Sequence, residues 1–589
     1  MTRDFPVPAI EDWQRLTLGV LRRSGRADEN TTAGDAADLL ATTTYDGFPL
    51  APLYTSRDTP VPDGLPGQAP FTRGGGVGGR WDVRTVHTDP DPVRTAAAAR
   101  ADLHGGATSL WLRAAAPEQL GELLTGIPLE RTGIVLDAGT ETDKATAALL
   151  DVAARQNIAP RVLRGNLGAD PYGAFAATGV EPELGVAADL AAQSVTAHPE
   201  LRALTVDVTM YHDAGGSDAE ELGCALATGV AYLRAMSDRG IPLTRSLGQL
   251  EFRYAATADQ FATIAKLRAA RRLWHRVTEV AGAHRPSAQR QHAVTSGAMM
   301  TARDPWSNLL RTTLACFGAG VGGAGAITVQ PFDVALGRPD ETAQRIARNT
   351  QLILLDEAHL HRVTDPAGGS WYVESRTDEL ARAAWDWFTT IERAGGIGTA
   401  LRSGLVADRL AATWERRATR VARRQDAITG VSEFPDLDEQ VPARHAAPPA
   451  PVGGLPRHRY AERFEELRRR ADGAETTPVV HLVTIGRVSE HSARVTFAAN
   501  LFAAGGIRTV TTAAGEPVPP GAVVCVCSSD RVYAEQAAPV AAALRQTGAT
   551  KIWLAGRSGG QAGVDDHLYA GCDAARVLET TLDDLGVPR

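Results

Sequence analysis

Short apolar runs recur along most of this chain, each followed by a longer helical pattern, and that alternation limits the fold to a parallel α/β architecture. Strand candidates are Ser109–Leu112, Gly133–Asp137, Arg161–Gly165, Leu204–Thr209, Leu250–Tyr254, His292–Thr295 and Ala326–Val329. The Ala/Leu/Arg run from Phe261 to Val280 is the clearest of the intervening helices. Seven or eight units at this spacing predict a (β/α)₈ TIM barrel. An Arg-rich amphipathic block from Ser370 to about Arg424 is expected to pack on its flank as helices.

The alternation is interrupted between about Phe434 and Pro456. There the composition shifts to Pro, Ala and Gly (Pro442, Pro448, Pro449, Pro451, Gly453, Gly454), as in a linker. A charged helix over Arg459–Arg470 leads into a second series of strands: Val479–Ile485, Ile507–Thr511, Val523–Val526, Ile552–Leu554 and Ala575–Leu578. Five βα units in so short a stretch predict a flavodoxin-like, doubly wound domain with ligands at its strand C-termini. The first residues resist such a reading. Phe5-Pro6-Val7-Pro8, a helix around Trp13, and Pro49, Pro52, Pro60, Pro62, Pro66 and Pro70 predict an arm, yet Tyr45, Phe48, Leu50, Leu53, Tyr54 and Phe71 give it something to bury. The predicted division is 1–85 arm for subunit contact, 86–425 barrel with helical flank, 426–475 linker and 476–589 second domain.

Composition narrows the function by exclusion. With 44% apolar and 22% charged residues and a net charge of −8, nothing invites nucleic acid or an anionic membrane. No run of 18 apolar residues and no signal-peptide pattern is present, so the expected location is the cytoplasm. The five cysteines are scattered, and Cys525 and Cys527 read as small fillers of a strand, without a partner pair to complete a metal site.

Four stretches carry a resemblance: Leu65–Gly74 (LPGQAPFTRG), Ala265–Arg271 (AKLRAAR), Arg345–Leu352 (RIARNTQL) and Asp365–Glu374 (DPAGGSWYVE). They resemble the methylmalonyl-CoA mutase family of adenosylcobalamin-dependent isomerases. That resemblance implies a barrel holding acyl-CoA along its axis, joined to a C-terminal cobalamin-binding-type domain. In such domains the turn after the first strand carries Asp-x-His-x-x-Gly, whose His ligates cobalt; here those positions read Val488, Glu490 and Ala493, and moving the register by one to His491 places Ser489 and Arg494 at the flanks. The family's Tyr shortly after Phe-Thr-Arg-Gly has no counterpart in Gly74–Trp81. Its carboxylate-binding Arg, in Pro-x-x-Arg, is replaced by Gly185 in Pro182-Glu183-Leu184-Gly185. One pair remains, Tyr211-His212, where the family's His hydrogen-bonds the thioester carbonyl; it reads here as vestigial.

This pattern resembles the small subunit of heterodimeric bacterial members, as do Ile428–Pro435 and Leu568–Asp573. The resemblance implies a structural, non-catalytic chain that binds no cofactor or metal. It would pair with a catalytic large (alpha) subunit holding adenosylcobalamin and the acyl-CoA. The assembled isomerase would interconvert (R)-methylmalonyl-CoA and succinyl-CoA by a radical 1,2-rearrangement. The competing readings are an active acyl-CoA mutase of altered substrate and a cobalamin or acyl-CoA binding module. Around the expected nucleotide tail stand Ser528-Ser529-Asp530 and Ala555-Gly556-Arg557, with Arg557 expected to fill or cap the space.

Overall fold

The computed structural model describes residues 9–58, 64–113, 116–285, 287–449, 451–557 and 563–589. Phe5–Pro8, Pro60 and Pro62 of the predicted arm lie outside them. Eight parallel strands close into a barrel: Asp82–His87, Ser109–Arg113, Gly133–Asp137, Gly165–Ala169, Leu201–Asp207, Leu250–Ala256, Gln291–Thr295 and Ala326–Thr328. Closure is by the eighth strand on the first, Ala326 opposite Asp82 and Ile327 opposite Val83.

Two departures from the sequence reading concern these strands. The first strand, DVRTVH, was missed, and the boundary drawn at residue 85 falls inside it. Its Asp82 and Arg84 face the barrel interior, so a buried strand looks polar. The fourth strand begins at Gly165 rather than Arg161. Its sequence, GNLGA, is a poor strand former, and its pairing with the fifth strand is irregular between Asn166 and Ala169. Gly165 and Gly168 both have positive φ, and a Cβ on either would lie within 2 Å of the Ile134 or Leu136 carbonyl oxygen. Glycine is required there by close approach of the third strand.

The flanking helix Trp371–Arg393 is capped by Ser370 and packs on helices Asp218–Asp238 and Gln260–Val280. Gly223 makes room for it, since a Cβ there would meet Trp387 at 2.5 Å. Three of the four family-like stretches converge here in one buried ion network, while Arg348 of the fourth pairs with Asp102 elsewhere. Arg268, fully buried, binds Glu374 (2.6 Å) and Asp365, and Asp365 also accepts from Arg73 (3.0 Å). Next to it Lys266 bridges Asp218 (2.9 Å) and Glu221 (2.7 Å).

In the C-terminal domain five parallel strands run in the order second, first, third, fourth, fifth, with the first at Val479–Thr484. The fifth is Asp566–Leu568, not Ala575–Leu578. The latter belongs to helix Ala574–Asp584, whose start Asp573 caps by accepting from Arg576 N–H. A short polar edge strand carries little apolar signal, whereas the helix after it does. All five cysteines are free and buried. No described helix is long and apolar enough to cross a membrane.

The Pro/Gly segment before this domain lies on the barrel. Arg338 N–H donates to the His445 carbonyl, Leu455 N–H to Ala176, His458 N–H to Asp213 and Tyr460 N–H to Ala298. Its last residues thereby cross the C-terminal mouth of the barrel. Ahead of the barrel, helix Ile10–Arg23 rests on a small core of its own, Leu18, Leu21 and Ala36.

Candidate functional site

In a barrel the C-terminal ends of the strands are where chemistry is expected, and Tyr211-His212 is there, in the short helix that follows the fifth strand. Both side chains are buried. His212 Nε2 is 2.7 Å from Ser296 Oγ and 3.4 Å from Tyr460 Oη, while Nδ1 lies 3.9 Å from Glu221. Burial, reinforced by Lys266 and Arg417, lowers its pKa to about 3, so the ring is neutral near pH 7. Tyr460 stands over it, and its partner residue in the crossing segment, His458, stacks on Trp414 at 4.1 Å. Burial raises the Tyr211 phenol well above its ordinary range.

Beneath this pair the axis is filled by side chains. Arg253, on the sixth strand, donates to Asp207 (2.6 Å) and to His292 Nδ1 (3.1 Å). Its guanidinium lies 4.0 Å from the ring centroid of Trp111, across the barrel on the second strand. Trp111 also meets His292 edge-on at 5.4 Å, and His292 Nε2 reaches Thr328 (2.8 Å). Val86, Val135 and Val294 pack against Trp111. One layer toward the N-terminal end, Arg84 reaches from the first strand to Glu251 on the sixth (2.6 Å). Arg84–Glu251 and Arg253–Trp111 thus span the axis between strands that are not neighbours. This layer separates cavities at the N-terminal end, one of about 580 Å³, from one of about 510 Å³ on the C-terminal side.

The remaining positions from the sequence reading are not brought together. Gly74–Gly79 form a loop below the first strand, at the opposite end from His212. Gly185 is exposed in the first turn of the outer helix Leu184–Ala197.

In the C-terminal domain helix Val488–Ala503 follows the first strand after only residues 485–487, so Val488, Glu490 and Ala493 all lie on the helix. Val488 is 71% exposed, Ala493 is also exposed, and the Glu490 carboxylate turns back to cap its own helix at Arg487 N–H (2.9 Å) and to pair with Arg531 (2.6 Å). The ends of the central strands, where a doubly wound sheet binds ligands, are closed. Buried Tyr533 accepts from Ser528 N–H (2.6 Å) and sits within hydrogen-bond distance of the Val526 and Ala555 carbonyls, to the second of which Arg494 also donates (2.5 Å). Arg557, expected to fill this space, instead turns to the Ala570 carbonyl and the Tyr569 ring. The donor set and the filled cleft do not fit cobalamin.

The sequence profile of the methylmalonyl-CoA mutase family matches residues 114–505. The chain belongs to that family. It is 53% identical to the methylmalonyl-CoA mutase small subunit of Streptomyces virginiae, covering 100% of this chain and 98% of that protein. It is 39% identical to the small subunit of Propionibacterium freudenreichii subsp. shermanii, covering 100% and 96%. Identity to the methylmalonyl-CoA mutase of Rhizobium meliloti is 29%, over 79% of this chain and 68% of that one. As a methylmalonyl-CoA mutase family member it carries the barrel and the second domain in the expected order. Arg253, Trp111, His292 and Tyr460 were not singled out from sequence. The available signal was an Arg and a His at inward positions of two predicted strands.

Proposed function

We propose that this chain is the structural, non-catalytic small subunit of an adenosylcobalamin-dependent methylmalonyl-CoA mutase in the cytoplasm. It pairs with a large catalytic homologue as a heterodimer, and that partner holds the cofactor and the acyl-CoA. The assembly interconverts (R)-methylmalonyl-CoA and succinyl-CoA. The observation that carries this reading is the filled axis. A substrate threaded through the barrel would have to displace Arg253 from Asp207 and from Trp111, breaking a buried charge pair. The small-subunit names of the relatives and the poor fit of the C-terminal domain to cobalamin support the same reading.

On this reading Tyr211 and His212 are remnants. His212 Nε2 is already engaged by Ser296 and Tyr460, and Nδ1 faces the buried Glu221 carboxylate. His212→Ala should leave the activity of the assembled enzyme within about threefold, under ~0.7 kcal/mol of transition-state stabilisation. Steady-state turnover of the complex checks this. A hundredfold loss with the complex intact would place chemistry in this barrel.

A further inference from the structure

The cavity of about 510 Å³ on the C-terminal side of the barrel has an unusual charge balance. Its carboxylates are already compensated: Asp46 accepts from Ala219 N–H (2.7 Å), Asp218 pairs with Lys266 (2.9 Å) and Asp259 with Arg376 (2.9 Å). Arg420 is likewise held by Asp426 (2.8 Å). Two guanidiniums are not. Among the described residues Arg311 donates only to neutral groups, Asn308 (2.7 Å), Thr301 (3.0 Å) and the Thr429 carbonyl (2.8 Å). Arg417 makes no hydrogen bond or ion pair among the described residues, and its Nε is buried. It is sandwiched instead between the rings of Tyr45 (4.0 Å to the centroid) and Tyr460 (4.9 Å). Aromatic faces hold a guanidinium in place but do not satisfy its N–H donors. Asp218 and Asp426 stand near enough to favour this charge, but no carboxylate meets it directly, and its N–H donors face the cavity unpaired.

Much of the remaining lining is apolar: Met299, Leu310, Leu314 and Ile428. We propose that this cavity binds a small organic acid, with its carboxylate on Arg417 and a short apolar body against these four side chains. The planar fork of Arg matches a carboxylate in two-point geometry. A phosphate or polyanion fits less well, because its further charge finds the other cations of the lining already engaged, Arg376 by Asp259 and Arg420 by Asp426. The volume falls within the range of small-molecule sites, and apolar walls with a few convergent polar groups are their usual make-up. The inference concerns ligand binding and holds whether or not the chain is catalytic.

Calorimetric titration of the full-length chain tests it, with pentanoate and benzoate as probes and pentanamide and inorganic phosphate as controls. The acids are expected to bind saturably, with the amide and phosphate at least tenfold weaker. Arg417→Gln should weaken the acids at least tenfold. Leu310→Glu should do the same by placing a competing carboxylate at the rim. Leu310 is 69% exposed, so this second variant decides the matter even if Arg417→Gln fails to fold. Equal binding of acid and amide, tighter binding of phosphate, no binding of either acid, or unchanged affinity in Leu310→Glu would overturn the proposal.

Discussion

Arg268→Met is expected to destabilise the chain by about 3–5 kcal/mol, the range seen when one member of a buried ion network is removed. Arg268 is fully buried and joins Asp365 to Glu374. Met fills much of its volume but, among the described residues, leaves Glu374 with only Gly369 N–H as a donor (3.0 Å) and Asp365 with Arg73 as its one cationic partner. The effect is large because three separate parts of the chain lose their common tie: the segment before the first strand, helix Gln260–Val280 and the start of helix Trp371–Arg393. Urea denaturation monitored by circular dichroism measures it. Arg276→Met on the same helix serves as control: Arg276 is exposed and pairs only with Glu279, so its loss should cost under about 1 kcal/mol. Similar midpoints for the two variants would mean that the network contributes little.

Removing residues 1–41 is expected to weaken pairing with the large subunit at least a hundredfold, about 2.7 kcal/mol, while leaving the barrel folded. Helix Ile10–Arg23 buries Leu18 and Leu21 in its small core but leaves Leu16 69% and Val20 55% exposed. Half-buried Trp13 precedes them at helical spacing, so the three form one stripe. Burying such side chains is worth about 1.5–3 kcal/mol each, enough for the expected loss. The cut spares the next segment, in which Asp46 caps helix Asp218–Asp238 and Tyr45 packs under Arg417. Sedimentation of the truncated chain with its partner reads the outcome. Unchanged affinity would move the interface wholly onto the barrel.

The fold was legible in the sequence because apolar strands in parallel sheets read as continuous runs. The elements that escaped, Asp82–His87 and Asp566–Leu568, are polar, one because its charges point into the barrel and one because it lies at a sheet edge. The conspicuous stretches AKLRAAR and DPAGGSWYVE supplied the family. Their charged residues, Lys266, Arg268, Asp365 and Glu374, turn out to hold helices together rather than to line the mouth of the barrel. The positions Val488, Glu490 and Ala493 could be named from sequence, and they stand at the start of a helix. The side chains on the barrel axis could not, because Arg253 meets Trp111 across the barrel and Tyr460 meets His212 from more than two hundred residues away. Such pairings depend on barrel closure and on the path of the segment before the second domain, neither of which has a local signature.

By itself this chain is expected neither to bind adenosylcobalamin nor to turn over methylmalonyl-CoA. The most direct measurement is a titration of the purified full-length chain with adenosylcobalamin, followed by visible absorption and coupled to an assay of succinyl-CoA formation. An unshifted cofactor spectrum and no turnover above a protein-free blank are expected, with activity appearing only when the large subunit is added. A histidine-ligated cobalamin spectrum, or turnover by this chain alone, would contradict it.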